Sequence, residues 1–244
     1  MSPFPRGHYH SPVIDPSELR RRRHQIWPAG PDDPPGIDFR PEEQRRLLAD
    51  VARHMADYRY PSRPPKKRAA VFFDPNPMFA GLDSRVWFAL LRQLRPPRVV
   101  EVGGGYSTLL AADVISSDLD GATELVTVEP NPPRFLTARL EGLHRLIVSR
   151  VQDVPRSLFT ELRRGDVLFI DSSHVSKTGS DVNLLILDIL PRLQPGVMVH
   201  IHDVFLPRDY PEEWVLGEER SWNEQYLVQA LLTHSTGFEV VFGS

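Results

Sequence analysis

The chain contains no cysteine, which excludes disulfides, thiolate catalysis and cysteine-ligated zinc or iron–sulfur centres. No apolar run is long enough to span a bilayer. The N-terminus, Met1-Ser-Pro-Phe-Pro-Arg-Gly-His8, lacks the apolar centre of a signal peptide. The expected compartment is therefore the cytoplasm, with no membrane partner. Nor does one charge dominate: 29 Lys and Arg against 32 Asp and Glu leave a net charge of −3, which supplies no basic field for nucleic acid. What is present is 244 residues, 41% of them hydrophobic, enough for one sizeable core with an appendage.

Proline is abundant, and it crowds the first 40 residues, from Pro3 and Pro5 to Pro34 and Pro35. Such a segment supports neither a long helix nor a central strand. It reads as an extended arm, disordered or draped on a neighbour. The run Arg20-Arg21-Arg22-Arg23 within it is either a phosphate-binding patch or the solvated face of a short helix begun near Ser17. Residues 41–97 read as a helical cap. One helix runs from Pro41 to about Tyr58, with Pro41 at its first position and Glu42 and Glu43 at the positive end of its dipole. A Pro/Lys/Arg-rich linker, Pro61 to Arg68, precedes an apolar helix opened by Asp83 as N-cap and ended by Pro96 and Pro97. Two incidental matches carry no weight: Lys66-Lys67-Arg68 is short for a targeting signal, and Arg164-Gly165-Asp166 runs into a buried strand.

From Arg98 to the end, residues 98–244, strand and helix alternate. Short β-branched runs occur at Val99–Val102, Leu125–Val128, Leu146–Val148, Val167–Ile170 and Val197–Ile201, as buried parallel strands require. Helices are expected from Asn131, over Asp181 to Leu193, and from a capping box at Ser221-Trp-Asn-Glu224. Phe238–Phe242 reads as a final strand. This order predicts a doubly wound, mostly parallel α/β sheet.

In such a sheet, ligands bind at the carboxyl ends of the strands. The first ends in Glu101-Val-Gly-Gly-Gly-Tyr-Ser107. Gly103 and Gly105 can take positive φ and offer no Cβ to a ligand. Glu101 is costly to bury unless paired, and a cationic or amine-bearing ligand would pair it. The second strand ends at Glu129, somewhat more than twenty residues on, where an acid can accept both hydroxyls of a ribose or can simply sit at a helix start. After the third, Asp153 either accepts from an adenine amine or caps a helix at Pro155. The fourth ends in Asp171-Ser-Ser-His174. The fifth, Val199-His-Ile-His-Asp203, puts His200 and His202 on one face, of which at least one is expected to be a core histidine. Asp171 and Asp203, with His202 or His174 near, read either as a divalent-cation site or as a base and its orienting partner. Phe205–Trp214 reads as an aromatic substrate lid or as a surface loop pinned by its own rings.

Together these strand ends resemble a class I S-adenosylmethionine (SAM)-dependent methyltransferase, and most closely the bacterial small-molecule methyltransferases of the Methyltransf_24 type, with a Rossmann-like fold. The residues that carry the resemblance are Asp166 to Asn183, Val199 to Phe205 and Trp222-Asn-Glu-Gln-Tyr226. It implies SAM binding by Glu101, Gly103 and Gly105, with Tyr106, Ser107, Pro130, Asp171 and Ser172 in the same cofactor set. Ribose would lie at Glu129 and adenine near Asp153. The methyl donor would point toward Asp171, His174 and Asp203. A more distant resemblance is to magnesium-dependent O-methyltransferases, in which carboxylates after the fourth and fifth strands hold the metal. Asp171 and Asp203 match that pattern, whereas His202 or Val204 stands where an acid or amide is expected.

The resemblance also implies a further antiparallel strand that this sequence does not supply. Either the chain is cut short, or the strand is missing, or a partner provides it, and an open sheet edge would favour a homo-oligomer. The leading expectation is O-methylation of a small molecule such as a sugar or secondary metabolite. His174 would be the base, with Asp203, Asp171 and His202 around it. The alternatives are a metal-assisted or NAD-linked enzyme on the same fold, and a non-enzymatic binding module recruited through the Pro/Arg arm.

Overall fold

A computed structural model describes residues 3–30, 35–64 and 70–243. Pro31, Pro34 and the Lys66-Lys67-Arg68 triplet lie outside the described residues. The arm is not wholly extended: it forms α1, Pro16–Arg21, and α2, Arg23–Ile26. Asp15 caps α1, its Oδ1 accepting the Ser17 N–H at 2.9 Å. Helix α3, Pro41–Met55, opens on its proline as expected. Helix α4, Leu82–Leu94, starts after Gly81, whose φ is +68°, so Asp83 lies inside the first turn rather than capping it.

Strands and helices then alternate: β1, Arg98–Val102; α5, Tyr106–Asp118; β2, Glu124–Val128; α6, Arg134–Thr137; β3, Arg145–Ile147; α7, Ser157–Thr160; β4, Val167–Ile170; α8, Asp181–Leu184; β5, Met198–Ile201; and α9, Glu224–Leu232. The helix expected over Asp181–Leu193 is present but irregular. It passes from α8 through a π-helical turn, Leu185–Ile189, into a 3₁₀ turn, Leu190–Arg192, where Pro191 cannot donate a backbone hydrogen bond. The helix expected from Asn131 shrinks to the four residues of α6. No strand forms over Phe238–Phe242. Phe242 instead packs against the apolar core, and the Gly243 N–H donates to Gln44 Oε1 at 2.9 Å.

The chain divides into two compact units. One unit comprises Phe39–Ser172, Leu184–His202 and Val240–Ser244. It holds a five-stranded parallel sheet of order β3-β2-β1-β4-β5. Order and direction are those of a doubly wound Rossmann-like fold. Beginning at its second residue, β1 is buried on both faces, as are the corresponding part of β2 and all of β4. Helices α3, α4 and α5 bury Val51, Trp87, Leu91 and Leu110 in one cluster with Val99, Leu125 and Phe169 of the sheet. The residues of β5, at the edge of this sheet, are only partly buried.

The second unit comprises Met1–Asp38, Ser173–Asn183 and Asp203–Glu239. Its apolar centre is Tyr210, Val215 and Leu216, against which Ile14, Leu19, Trp27, Phe205 and Trp222 pack. The arginine run is drawn into this unit. Arg20 donates to the Leu216 carbonyl at 2.8 Å, and Arg23 pairs with Glu212 at 3.0 Å. No helix among the described residues is long and apolar enough to cross a membrane.

The sharpest steric constraint in the sheet-bearing unit sits just past β1. Gly103 has φ +92°, and a Cβ there would stand 1.8 Å from the Asp171 carbonyl oxygen. Backbone meets backbone at this point, so no side chain can swing aside. Gly103→Ala is therefore expected to cost more than about 1–3 kcal/mol in strain, read as a lowered midpoint in urea unfolding. Wild-type stability in that variant would contradict the constraint.

Candidate active site

In the sheet-bearing unit the glycine turn is built around Glu101. Its side chain faces α5 and β2 and is 2% exposed. Three hydroxyls donate to it: Ser107 Oγ at 2.7 Å, Thr108 Oγ1 at 2.6 Å and Thr127 Oγ1 at 2.8 Å. The partner that the sequence reading sought in a cationic ligand is thus supplied by the protein. Burial raises the Glu101 pKa to about 7; the three hydroxyl bonds oppose that rise and the nearby Asp171 adds to it. Thr108 Oγ1 also accepts the Gly105 N–H at 3.0 Å, so the same network fixes the start of α5.

The two glycines singled out from the sequence behave differently. Gly103 uses the left-handed region, as above. Gly105 is extended, with φ −164°, and an added Cβ would meet nothing within 4 Å. Its value is therefore open space rather than torsional freedom. Tyr106 and Ser107 follow it in the first turn of α5. Glu129, after β2, closes the turn from the other side. Its Oε2 accepts the Gly104 N–H at 3.1 Å and its Oε1 accepts the Asn131 N–H at 2.7 Å. Pro130, beside it, is exposed. A carboxylate next to an open backbone turn is a donor–acceptor set that fits the hydroxyls of a nucleoside.

Asp153 ends a 3₁₀ turn, Val151–Asp153, and bonds Arg150 Nε at 2.9 Å. It does not cap a helix, because α7 begins only at Ser157. It lies on the wall of a cavity of about 280 Å³ that also reaches Arg98 and Arg145, the first residues of β1 and β3.

Asp171 follows β4, and its N–H donates to the Val102 carbonyl at 2.8 Å. Ser172 follows it, partly buried. His202 is buried, with Nδ1 3.7 Å from Asp171 Oδ1 and Nε2 3.5 Å from Asp83 Oδ2. Phe79 lies 5.2 Å from its ring. Asp83, read as a helix cap in the sequence, is thus a second carboxylate on this histidine. His200 is the histidine of the pair that packs among aromatic rings. It stacks on Phe169 at 4.3 Å and lies 5.5 Å from Trp87. Burial, and then the neighbouring His202, lower its pKa to about 4, so it is neutral at pH 7.

The second unit carries His174. His174 is 5% exposed and Glu224 1%, and His174 Nδ1 lies 2.8 Å from Glu224 Oε2. An ionised carboxylate can only accept, so in this contact Nδ1 is the donor and Glu224 the acceptor. Asp203 Oδ2 is 3.6 Å from Nε2, beyond a hydrogen bond. The two ring nitrogens thus face different acids, Nδ1 toward Glu224 and Nε2 toward Asp203. The expected capping box at Ser221 does not form. Instead the His174 carbonyl accepts the N–H groups of Asn223 at 3.0 Å and Glu224 at 3.2 Å, serving donors that a helix start leaves unmet. Trp222 lies against the imidazole at 4.2 Å. His174 and Asp203 both have φ +58°, strain of a kind that collects at functional sites. The sequence signal for Glu224 was present, an acid at a helix start; only its partner was misjudged.

The loop Phe205–Trp214 is anchored at several points. Gln225 Oε1 accepts the Phe205 N–H at 3.1 Å, and Tyr226 Oη donates to Asp209 Oδ1 at 2.7 Å. Phe205, Tyr210, Trp214 and Trp222 pack edge to face.

Residues 100–204 match the family model Methyltransf_24, described as a methyltransferase domain. An uncharacterized protein of Archaeoglobus fulgidus is 32% identical over 181 residues, covering 72% of this chain and 82% of that protein. Among solved structures, the SAH-bound Podospora anserina methyltransferase PaMTH1 aligns with 17% identity and a TM-score of 0.41, over 80% of this chain and 88% of that one.

The raised pKa of Glu101 sets a pH dependence of stability. The folded chain holds this proton up to about pH 7, and the unfolded chain releases it near the usual carboxylate value of 4.5. Between these values the folded state binds more protons, so this group's contribution makes stability fall as pH rises through that window. Glu101→Gln is expected to flatten that fall, by on the order of 1–3 kcal/mol at neutral pH. Urea unfolding of both proteins at several pH values measures it, and parallel profiles would refute it.

Proposed function

Because the chain belongs to the Methyltransf_24 family of SAM-dependent methyltransferases, we propose that it moves the methyl group of SAM to a hydroxyl oxygen of a small molecule, such as a sugar or other secondary metabolite. Family membership disfavours the NAD-linked enzyme and the binding module. The single observation that carries the oxygen acceptor is the buried His174–Glu224 pair, with its 2.8 Å contact. An amine attacks with its own lone pair, whereas a hydroxyl must lose a proton during transfer, and that requires a base.

In this reading the donor's ribose hydroxyls are accepted by Glu129, held toward the glycine turn by its bond to Gly104. Gly105 supplies the room for the adenosyl group. Tyr106, Ser107, Pro130 and Ser172 border it, and Asp153 faces the adenine amine. Glu101 acts from beneath, by fixing the turn rather than by touching the ligand. When bound, SAM supplies an electrophilic methyl on a sulfonium sulfur. His174 Nε2 takes the acceptor's proton, Glu224 holds the ring in the tautomer that permits this, and Asp203 favours the imidazolium that results. Asp171 and His202 orient the acceptor.

A magnesium ion at Asp171 and Asp203 is the alternative aid. Magnesium favours oxygen ligands, and the neighbour of Asp171 is the imidazole of His202, 3.7 Å away. The donor chemistry fits that ion poorly, and no step here depends on it.

Two outcomes test the reading. In calorimetric titrations wild type should bind SAM and S-adenosylhomocysteine but not NAD, and Glu129→Ala should bind them at least tenfold more weakly, the loss of about 1.4 kcal/mol or more. Wild-type affinity in that variant would remove Glu129 from the site. With methyl-labelled SAM and a panel of hydroxylated small molecules, His174→Ala should lose about 100-fold or more in turnover while still binding SAM. Unchanged turnover at saturating acceptor would remove the base.

A further inference from the structure

We propose that Trp27, in the proline-rich N-terminal segment, is a positioning residue for the base His174. This inference rests on the role given to His174 above. Helices α1 and α2 have six and four residues, too few to be stable alone. Their order comes from docking against the 205–222 stretch of the same unit. Trp27 Nε1 donates to the Tyr210 carbonyl at 2.8 Å. Tyr210 is 3% exposed, and its hydroxyl accepts the Gln225 N–H at 3.1 Å. That N–H belongs to the first turn of α9, one residue after Glu224. Trp27 therefore fixes the height of Tyr210, and Tyr210 fixes the turn that carries the carboxylate on His174.

A second path reaches the same imidazole. The Ile14 N–H donates to Ser221 Oγ at 3.3 Å, next to Trp222. Trp222 packs in the apolar cluster with Trp27 and Ile14 and lies 4.2 Å from the His174 ring. The two paths hold the ring through its Nδ1 partner and through its face. Arg6–Glu219 at 2.7 Å and Arg208 to the Gly30 carbonyl at 2.9 Å pin the segment on either side of them. The segment read from the sequence as an extended arm thus packs around the residues that hold His174.

The test uses the full chain with ¹⁵N-labelled histidine, and His174→Gln identifies the His174 ring signals. In wild type the ring should show the Nδ1-protonated tautomer with a slowly exchanging Nδ1 proton. Glu224→Gln should alter both. Trp27→Ala should lose the slow proton and the tautomer bias. Trp27→Phe, which keeps a ring but no donor, should retain part of each. The His200 ring signals and SAM affinity serve as controls for the sheet-bearing unit, and a merely destabilising substitution would disturb them together. His174 signals identical to wild type in either folded Trp27 variant would overturn the proposal. Should Trp27→Ala fail to fold, Trp27→Phe decides by the same readout. Failure of wild type to bind SAM would sink the methyltransferase mechanism without touching this result, so the two are distinguishable.

Discussion

One buried carboxylate organises the carboxyl edge of the sheet. Glu101 lies where desolvation is costly, and the cost is offset only if its oxygens are met. Ser107 and Thr108 on α5 and Thr127 on β2 meet them. Those three bonds leave little freedom to the turn between β1 and α5. Gly103 must pass against the Asp171 backbone, and Gly104 must present its N–H to Glu129. The turn that could cradle a nucleoside is therefore the consequence of a polar network beneath it.

In the second unit a buried histidine is held by its neighbours on two sides. Glu224 occupies Nδ1, and the His174 carbonyl at the same time caps the start of α9 by accepting its first N–H groups. His174 does both in the left-handed conformation, with φ +58°. The aromatic cluster around Tyr210 and Trp222 then excludes water from one face of the imidazole.

Much of the sheet was legible because its signals are local. Runs such as Val167-Leu-Phe-Ile170 are too short and too uniformly apolar for surface helices, and they became buried strands. Their polar terminal residues fell at the carboxyl edge, where chain direction puts them. What failed were assignments that depended on distant partners. Asp83 looked like a cap and Ser221-Trp-Asn-Glu224 like a capping box, because a cap is the nearest use for such residues. In the fold, Asp83 faces His202 and Glu224 faces His174, 119 and 50 positions away in sequence. Phe238–Phe242 has the composition of a strand, yet no neighbouring strand pairs with it among the described residues, and its phenylalanine joins the apolar core.

By itself the sequence determined the alternation of strands and helices, the turn at Gly103–Gly105, the acids at Glu129 and Asp171, and the shared face of His200 and His202. Each depends on spacing of 2 or 3.6 residues, or on the torsional freedom of one residue, and both are properties of a short stretch of chain. Only the tertiary structure decided which histidine is a core residue and which is paired with a buried acid. It also decided that Glu101 is satisfied from within and that the proline-rich segment packs around Tyr210. Burial and partnership are properties of the whole packing: the same carboxylate is a cap, a ligand or an orienting group according to what the rest of the chain brings within 3 Å of it.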